Sequence, residues 1–433
     1  MENILKTREN FEVAIPFGDE EASFKLSGVR FVGRYGLAAA LETGDTEGII
    51  LKALYSPTGS STLSEIARGS RRVAVISDDA TRPTPVSLII PHVLAELEAA
   101  GVPKEGITIV MANGSHRKMS KEEIDAKLGS DIAASYRIDN HDYKAADLVD
   151  LGSTPSGVPV MMNKTVANAD FAVGIGSIVP HRYCGWSGGA KIIQPGVCGE
   201  KTTVATHLMI TKDSGVRVGN VENVVRHEME EVARKAHLGF IVNVVLDSEG
   251  KTVGAVTGDP VKAHRKGVEM ATGIVAARIP QKADLVICSS HPANMNFWQA
   301  GKAFYTADIA VEDGGTILLA TPAYEGIGEH PEFGKLLALE YDEIIRMLDA
   351  KEVEDQLGAA AALAVRLVAR RARVAVVTDG LSRSEVEAMG FAYYPAGRLQ
   401  EAVDAEIGLL RAKGKDPSVT VMAEAPDMLP VIG

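Results

Sequence analysis

The sequence predicts an α/β protein of two domains with largely parallel sheets. Three observations carry this: short β-rich apolar runs alternate with helical patterns, polar clusters follow the runs, and 433 residues exceed one ordinary core. The predicted strands of the first half are 72–77, 107–111, 171–175 and 240–246; those of the second are 285–289, 316–320, 374–378 and 419–422. Ser120 with Glu123 reads as a capping box opening a helix through Lys127. Residues 218–237 carry apolar side chains at helical spacing, 247–250 reads as a hairpin turn, and the Ala-rich stretch 358–371 as an ordinary helix. Gly273 and Pro280 mark 272–282 as a linker. The expected division is an N-terminal domain 1–275, a C-terminal domain 280–417 and a tail 418–433 that returns to the N-terminal domain.

Composition narrows the function. Hydrophobic residues make up 46% and charged residues 24%, no apolar run is long enough to cross a bilayer, and no basic start precedes an apolar stretch. A cytoplasmic protein without membrane contact is expected. Cys184, Cys198 and Cys288 form no CxxC pair, which favours reduced thiols over a disulfide framework or zinc site. A net charge of −12 repels nucleic acid phosphates, so the expected partner is a small molecule and not a nucleic acid.

Four polar clusters sit where open α/β sheets gather their ligand loops. In 77–85, Asp79, Thr81 and Arg82 suit an anion with neighbouring hydroxyls, although an Asp–Arg helix cap explains them equally well. In 113–117, His116 is a loop histidine and a general-base candidate; by itself it reads better as a histidine of no consequence. The span 181–207 is the richest, with His181, Cys184, Trp186, Ser187, Gly188, Gly189, Lys191 and His207. Its glycines let the backbone approach a ligand and offer N–H groups to a phosphate, with Lys191 as cation or nucleophile. It is not a Walker A loop, since Ile192 follows Lys191, and Val179 stands where a dinucleotide fingerprint needs its third glycine. Finally, Gln299 and Lys302, after Trp298, share a helix face at i and i+3 and suit a carboxylate and a hydroxyl, with an exposed polar face as the plain alternative.

Asp79 with Arg82, Ser115-His116-Arg117, His181 before Ser187-Gly188-Gly189 and Lys191, then His207, and Gln299 with Lys302 together resemble the lactate racemase family. Lys191 lies ten positions after His181 and His207 sixteen after Lys191; both intervals are similar to the family's, and the resemblance runs essentially the length of the chain. It implies a site in the cleft between the domains and a nickel-pincer nucleotide, pyridinium-3,5-bisthiocarboxylic acid mononucleotide, joined to Lys191 with His207 as a nickel ligand. It implies that Asp79, Thr81, Arg82, Ser187, Gly188 and Gly189 hold the nucleotide, and that Arg82, Gln299, Lys302 and Trp298 hold the substrate. His116 and His181 would be two bases, one for each hand of a 2-hydroxy acid racemised by reversible hydride transfer.

Cofactor-biosynthesis proteins are then expected partners. Cys184, Trp186 and Trp298 depart from the family's pattern, as does the lack of a tryptophan after Trp298, so a sugar acid or other hydroxyl-bearing substrate is the alternative to lactate. A nicotinamide dehydrogenase lacks its glycine fingerprint here, and a non-catalytic nucleotide-binding protein would leave the two histidines, Lys191 and His207 without a purpose.

Overall fold

The computed structural model describes residues 10–37, 45–328 and 330–433. Two compact units divide the chain: Ala38–Ile274 forms one, and Val275–Gly433 together with Met1–Leu37 forms the other.

The first unit is built on a six-stranded sheet. Its order is Thr252–Gly258, Leu238–Leu246, Phe171–Ser177, Val73–Asp78, Ile107–Ala112 and Arg137–Asn140. All neighbours are parallel except the first pair, which is the hairpin expected around 247–250. The central strands read as continuous apolar runs because both faces are covered, and Val73–Asp78 is buried at every position. Val75, Ile109, Val173 and Val242 pack in one core with Ile89, Ile90 and Val93 of the Val86–Ala99 helix. Each such side chain contributes about 1.5–3 kcal/mol on leaving water.

Strand order reverses beside Val73–Asp78. The chain moves outward through Ile107–Ala112 and Arg137–Asn140, then returns to the other side with Phe171–Ser177. The loops leaving Val73–Asp78 and Phe171–Ser177 therefore flank a topological switch point, the crevice where open α/β sheets bind ligands.

The second unit repeats the principle with a fully parallel six-stranded sheet: Ala392–Tyr394, Arg373–Val377, Val311–Ala320, Ala283–Ser289, Ser418–Met422 and Arg30–Tyr35. Ile287, Leu318, Ala375 and Val421 share a core with Leu399, Val403 and Ile407 of the Leu399–Ala412 helix. Phe24 of the Phe11–Phe17/Glu20–Leu26 hairpin joins the same core. The helix Phe297–Ala310 follows the central strand and opens on Asn296, whose side chain accepts from the Gln299 amide at 3.0 Å.

Two sequence expectations differ from this organisation. The start of the chain was assigned to the N-terminal domain, whereas Arg30–Tyr35 adds an edge strand to the C-terminal sheet, with Ser418 paired to Arg30. Residues 418–433 do not return to the N-terminal domain. They form Ser418–Met422 in the C-terminal sheet and Leu429–Ile432, which pairs with Ala276–Ile279 inside the expected linker. A third difference is local: 218–223 is not helical, because the Asn223 side chain accepts from the Arg226 amide at 3.0 Å and starts the helix at Val224. No helix among the described residues is long and apolar enough to cross a membrane.

Candidate active site

At the end of Val73–Asp78, two adjacent carboxylates take separate tasks. Asp78 is buried and held by Lys127, 2.8 Å from its Oδ1, and by the Thr84 hydroxyl at 2.5 Å. Burial pushes its carboxyl above the ordinary value despite both partners. Lys127 also donates to the Arg82 carbonyl at 2.7 Å, so this pair fixes the loop that carries Arg82.

Asp79 faces the other way. Its Oδ1 accepts from the Thr81 amide at 2.8 Å and hydroxyl at 2.5 Å, and its Oδ2 lies 2.7 Å from Nδ1 of His116. Burial would raise this carboxyl, but the His116 hydrogen bond and charge, with Arg82 and Thr81, hold it well below the usual carboxylate range. An ionised carboxylate only accepts, so Nδ1 of His116 donates, and in the neutral ring the lone pair is on Nε2. Asp79 and Thr81, expected on a nucleotide, are thus engaged with each other and with the histidine. Arg82 is half-buried, and its guanidinium has no hydrogen bond or ion pair among the described residues.

The loop after Phe171–Ser177 is fastened from inside. Ser187 Oγ donates to the Ser177 carbonyl at 2.7 Å and accepts from the Val179 amide at 2.8 Å. The Gly189 amide donates to Asn243 Oδ1 at 2.8 Å, and His264 Nε2 donates to the Ser187 carbonyl at 2.8 Å. Gly188 and Gly189 have φ of 75° and 58°, and a Cβ would meet Asn243 at 2.8 Å in one and His264 at 2.9 Å in the other. The glycines therefore serve the loop's own packing, and the Gly189 N–H, expected on a phosphate, is already bonded.

Sequence reasoning missed the residue that organises this loop. Arg226 is fully buried, and its guanidinium donates to the carbonyls of Cys184 (3.3 Å), Gly188 (3.1 Å) and Trp186. The signal was available: Val225, Met229, Val232 and Ala233 form the buried face of Val224–Lys235, and Arg226 is buried among them. Trp186 is wholly buried with its indole N–H on the Gly219 carbonyl at 2.9 Å, and Cys184 is equally buried. These two departures from the family pattern lie in the loop's interior.

Lys191 follows the clamp. No hydrogen bond or ion pair reaches its Nζ among the described residues. It keeps a partial opening to solvent, yet crowding by protein brings its ammonium down to about 8, with Arg82 and Arg226 adding to the fall against Cys184 and Asp79. An amine with that pKa is partly neutral, hence nucleophilic, near physiological pH. His207 lies at the end of Glu200–His207; its Nδ1 donates to the Thr203 carbonyl at 2.8 Å and its ring meets Tyr183 at 4.4 Å. Burial brings it down to about 4, with the charge of Lys191 adding to the fall. It is a neutral imidazole with its Nε2 lone pair available, the form a metal takes, and its second nitrogen is already oriented. The described residues contain no group of three or more His, Cys, Asp or Glu set to hold a metal, so His207 would act as a single protein donor beside ligands from elsewhere.

His181 belongs to the same loop. Its Nδ1 accepts from the Tyr183 amide at 3.3 Å and lies 3.3 Å from Cys184 Sγ. In the other unit, Gln299 and Lys302 occupy the first turns of Phe297–Ala310, and the Trp298 ring stacks on His330 at 4.3 Å with Phe333 edge-on at 5.1 Å. His330, which sequence reading passed over, is paired with Asp355 at 3.0 Å.

Comparison with known proteins gives the family. The lactate racemase N-terminal domain matches residues 17–219 and the lactate racemase C-terminal domain matches 279–432. A lactate racemase of Thermoanaerobacterium thermosaccharolyticum is 33% identical over 323 residues, covering 73% of this chain and 75% of that protein. One of Lactiplantibacillus plantarum is 33% identical over 316 residues, 70% of this chain and 74% of its own. The solved lactate racemase apoprotein from T. thermosaccharolyticum superposes with a TM-score of 0.86 at 27% identity, covering 97% of this chain and all of the other. A Thermotoga maritima protein shares the fold, with a TM-score of 0.71 at 20% identity over 91% of this chain and all of its own. With both domains matched and two relatives at this identity over more than two thirds of its length, the chain belongs to the lactate racemase family.

Proposed function

We propose that this protein is a racemase or epimerase of a 2-hydroxy acid, acting by reversible hydride transfer with a nickel-pincer nucleotide tethered to Lys191. The observation that carries the reading is the pairing of an unpartnered, charge-suppressed Lys191 amine with a neutral, pre-oriented His207 beside a switch-point crevice. A tether needs the first and a nickel ion the second. When bound, the cofactor supplies an acceptor that takes the C2 hydrogen of the substrate as a hydride and gives it back.

Such an acceptor answers a chemical difficulty. The C2 hydrogen of a 2-hydroxy acid is hardly acidic beside an ionised carboxylate, so proton abstraction there is a poor route, whereas loss of hydride with the hydroxyl proton leaves a planar 2-oxo acid. His116 and His181 form the acid–base pair at the hydroxyl oxygen, and Asp79 keeps the His116 ring in its accepting tautomer. Arg82, whose guanidinium is unengaged, would orient the substrate carboxylate by charge-assisted hydrogen bonds, and Gln299, Lys302 and Trp298 are the substrate-binding candidates that the C-terminal unit contributes. Both curated relatives are lactate racemases. Lactate heads the substrate panel here, followed by larger 2-hydroxy acids and sugar acids, because the Trp298–His330 stack is bulky.

The test is expression together with the cofactor-making proteins, followed by intact mass, nickel analysis and chiral assay of each enantiomer in the panel. An adduct on Lys191 with nickel and inversion of one panel member is expected. A fully loaded preparation that inverts none of them, or a chain that never carries an adduct, overturns the reading.

A further inference from the structure

We infer that His116 and His181 are set in opposite tautomers, His116 ready to accept a proton and His181 ready to donate one, with the Cys184 thiol as the proton reserve behind His181. The inference rests on the reading above that these two histidines flank the substrate oxygen, and it divides their labour.

The partners at Nδ1 are of opposite kind. Behind His116 stands the Asp79 carboxylate at 2.7 Å, an acceptor with its other oxygen taken by Thr81, so a proton sits on Nδ1, and in the neutral ring Nε2 is bare. Behind His181 stands the Tyr183 backbone N–H at 3.3 Å, which can only donate. Nδ1 of His181 therefore holds the lone pair, and in the neutral ring the proton is on Nε2. Cys184 Sγ lies 3.3 Å from the same Nδ1 and 3.1 Å from the Trp186 carbonyl, so its S–H has two acceptors within reach. Cys184 is fully buried, and the Arg226 guanidinium that donates to its carbonyl at 3.3 Å places positive charge beside the thiol.

This arrangement makes the resting site one-sided. For the first hand of substrate, the hydroxyl O–H bond breaks and the proton moves to Nε2 of His116 as the C2 hydrogen leaves as hydride. When the hydride returns to the opposite face of the 2-oxo acid, the carbonyl oxygen takes the Nε2 proton of His181, and Nδ1 takes the proton of the Cys184 thiol. The turnover ends with His116 as imidazolium against Asp79, His181 with its proton on Nδ1, and Cys184 as thiolate. That state is the mirror loading, ready to act on the other hand; no proton is gained or lost, and before a second turnover of the first hand the His116 imidazolium gives its proton to solvent, Cys184 takes one back, and the His181 proton returns from Nδ1 to Nε2. Without the thiol, a neutral His181 that gave up its Nε2 proton would be left as an imidazolate, so Cys184 is a positioning residue for proton supply and not a packing residue alone.

Two measurements test it. Long-range ¹H–¹⁵N correlation on the apoprotein at neutral pH, assigned with His116→Gln and His181→Gln, should show a bare Nε2 in His116 and a bare Nδ1 in His181; a protonated Nδ1 in His181 overturns the proposal without touching the proposed activity. In loaded enzyme, Cys184→Ala should lower racemisation about a hundred-fold, the scale of a lost acid or base. Oxidation of one enantiomer to its 2-oxo acid, followed by chemical quench in a single turnover, should persist. Cys184→Ser, which keeps a donor, should recover part of the loss and covers the case in which the alanine variant does not fold. Racemisation by either variant within about threefold of wild type, with the wild type active, removes Cys184 from the reaction; an inactive, fully loaded wild type would instead fail the functional reading itself.

Discussion

The two sheets share a parallel build and a reversal of strand order, yet they spend the polar residues at their carboxyl ends differently. In the C-terminal unit the set is closed. The Ser289 hydroxyl donates to the Pro16 carbonyl at 2.5 Å, Ser290 Oγ lies 2.8 Å from Asn294 and 2.9 Å from Thr321, and Thr378 accepts from the Gly380 amide at 3.1 Å. In the other unit the set is open. The Arg82 guanidinium and the Lys191 ammonium have no hydrogen bond or ion pair among the described residues, and the His116 and His207 rings each hydrogen-bond through Nδ1. A buried polar group normally has its hydrogen bonds made, and an unpaired one costs stability. Chemistry is therefore expected where the fold leaves such a cost standing, and order where it does not.

The largest effect should come from removing the open amine. Lys191→Ala loses the covalent adduct completely by intact mass, and a full adduct in this variant would show that another group is the tether. Lys191→Met should raise the thermal midpoint of the apoprotein, since an ammonium whose folded value is about 8 and whose ordinary value is near 10.4 costs about 3 kcal/mol while charged. The sign follows from proton binding. Between about pH 8 and 10.4 the unfolded chain holds more protons, so wild-type stability rises with pH there and its gap to the variant closes. A gap that stays constant to pH 10 would contradict the depressed amine.

Next comes the clamp. Arg226→Gln leaves three loop carbonyls short of a buried donor and should cost about 3–5 kcal/mol by denaturant unfolding, with the loss confined to the unit Ala38–Ile274. Loss below about 1 kcal/mol would mean that the loop holds its course without the guanidinium.

How much of this was legible depends on where the determining contacts lie. All eight predicted strands are present, because each is a continuous apolar run, and the Ser120–Glu123 capping box is a signal local to four residues. Arg30–Tyr35 escaped notice because its partner, Ser418–Met422, lies almost the whole chain away. The candidate site residues stood out by type and spacing, but their tasks did not. Sequence shows which groups are present and not which are bonded to each other, as Asp79 is to Thr81 and Gly189 is to Asn243. Arg226 and Asn243 shape the loop from a helix and a strand that carry no motif.

A smaller effect separates the histidines of the first unit by pH. His141 and His264 are buried and held neutral, His264 well below the ordinary value, chiefly by desolvation. Their folded values lie below the unfolded 6.5, so the unfolded chain binds more protons below that point; their contribution is whole above about pH 6.5 and falls away as pH drops. Each should cost up to about 1.4 kcal/mol at pH 5.5. Urea unfolding of wild type and His264→Gln at pH 7.5 and 5.5 checks it: the variant should lose less on acidification, and an equal loss would exclude His264 as a source.

The closed set of the C-terminal unit supplies the smallest effect and the control for the rest. Ser290→Ala removes a hydroxyl that Asn294 and Thr321 share in a fully buried position. Asn294 keeps its contact with His291 at 3.3 Å, and the Thr321 backbone remains tied to Val377, so relaxation is available and the cost should be about 1 kcal/mol. Because the hydrogen bonds of Ser290 among the described residues run to Asn294, Thr321, Ala293 and Ala320, adduct mass, nickel content and racemisation should stay at wild-type levels. If racemisation fell ten-fold with the adduct intact, the carboxyl end of this sheet would be part of the reacting site, and the division into an open and a closed set would have to be redrawn around Ser290 and the neighbouring start of the Phe297–Ala310 helix.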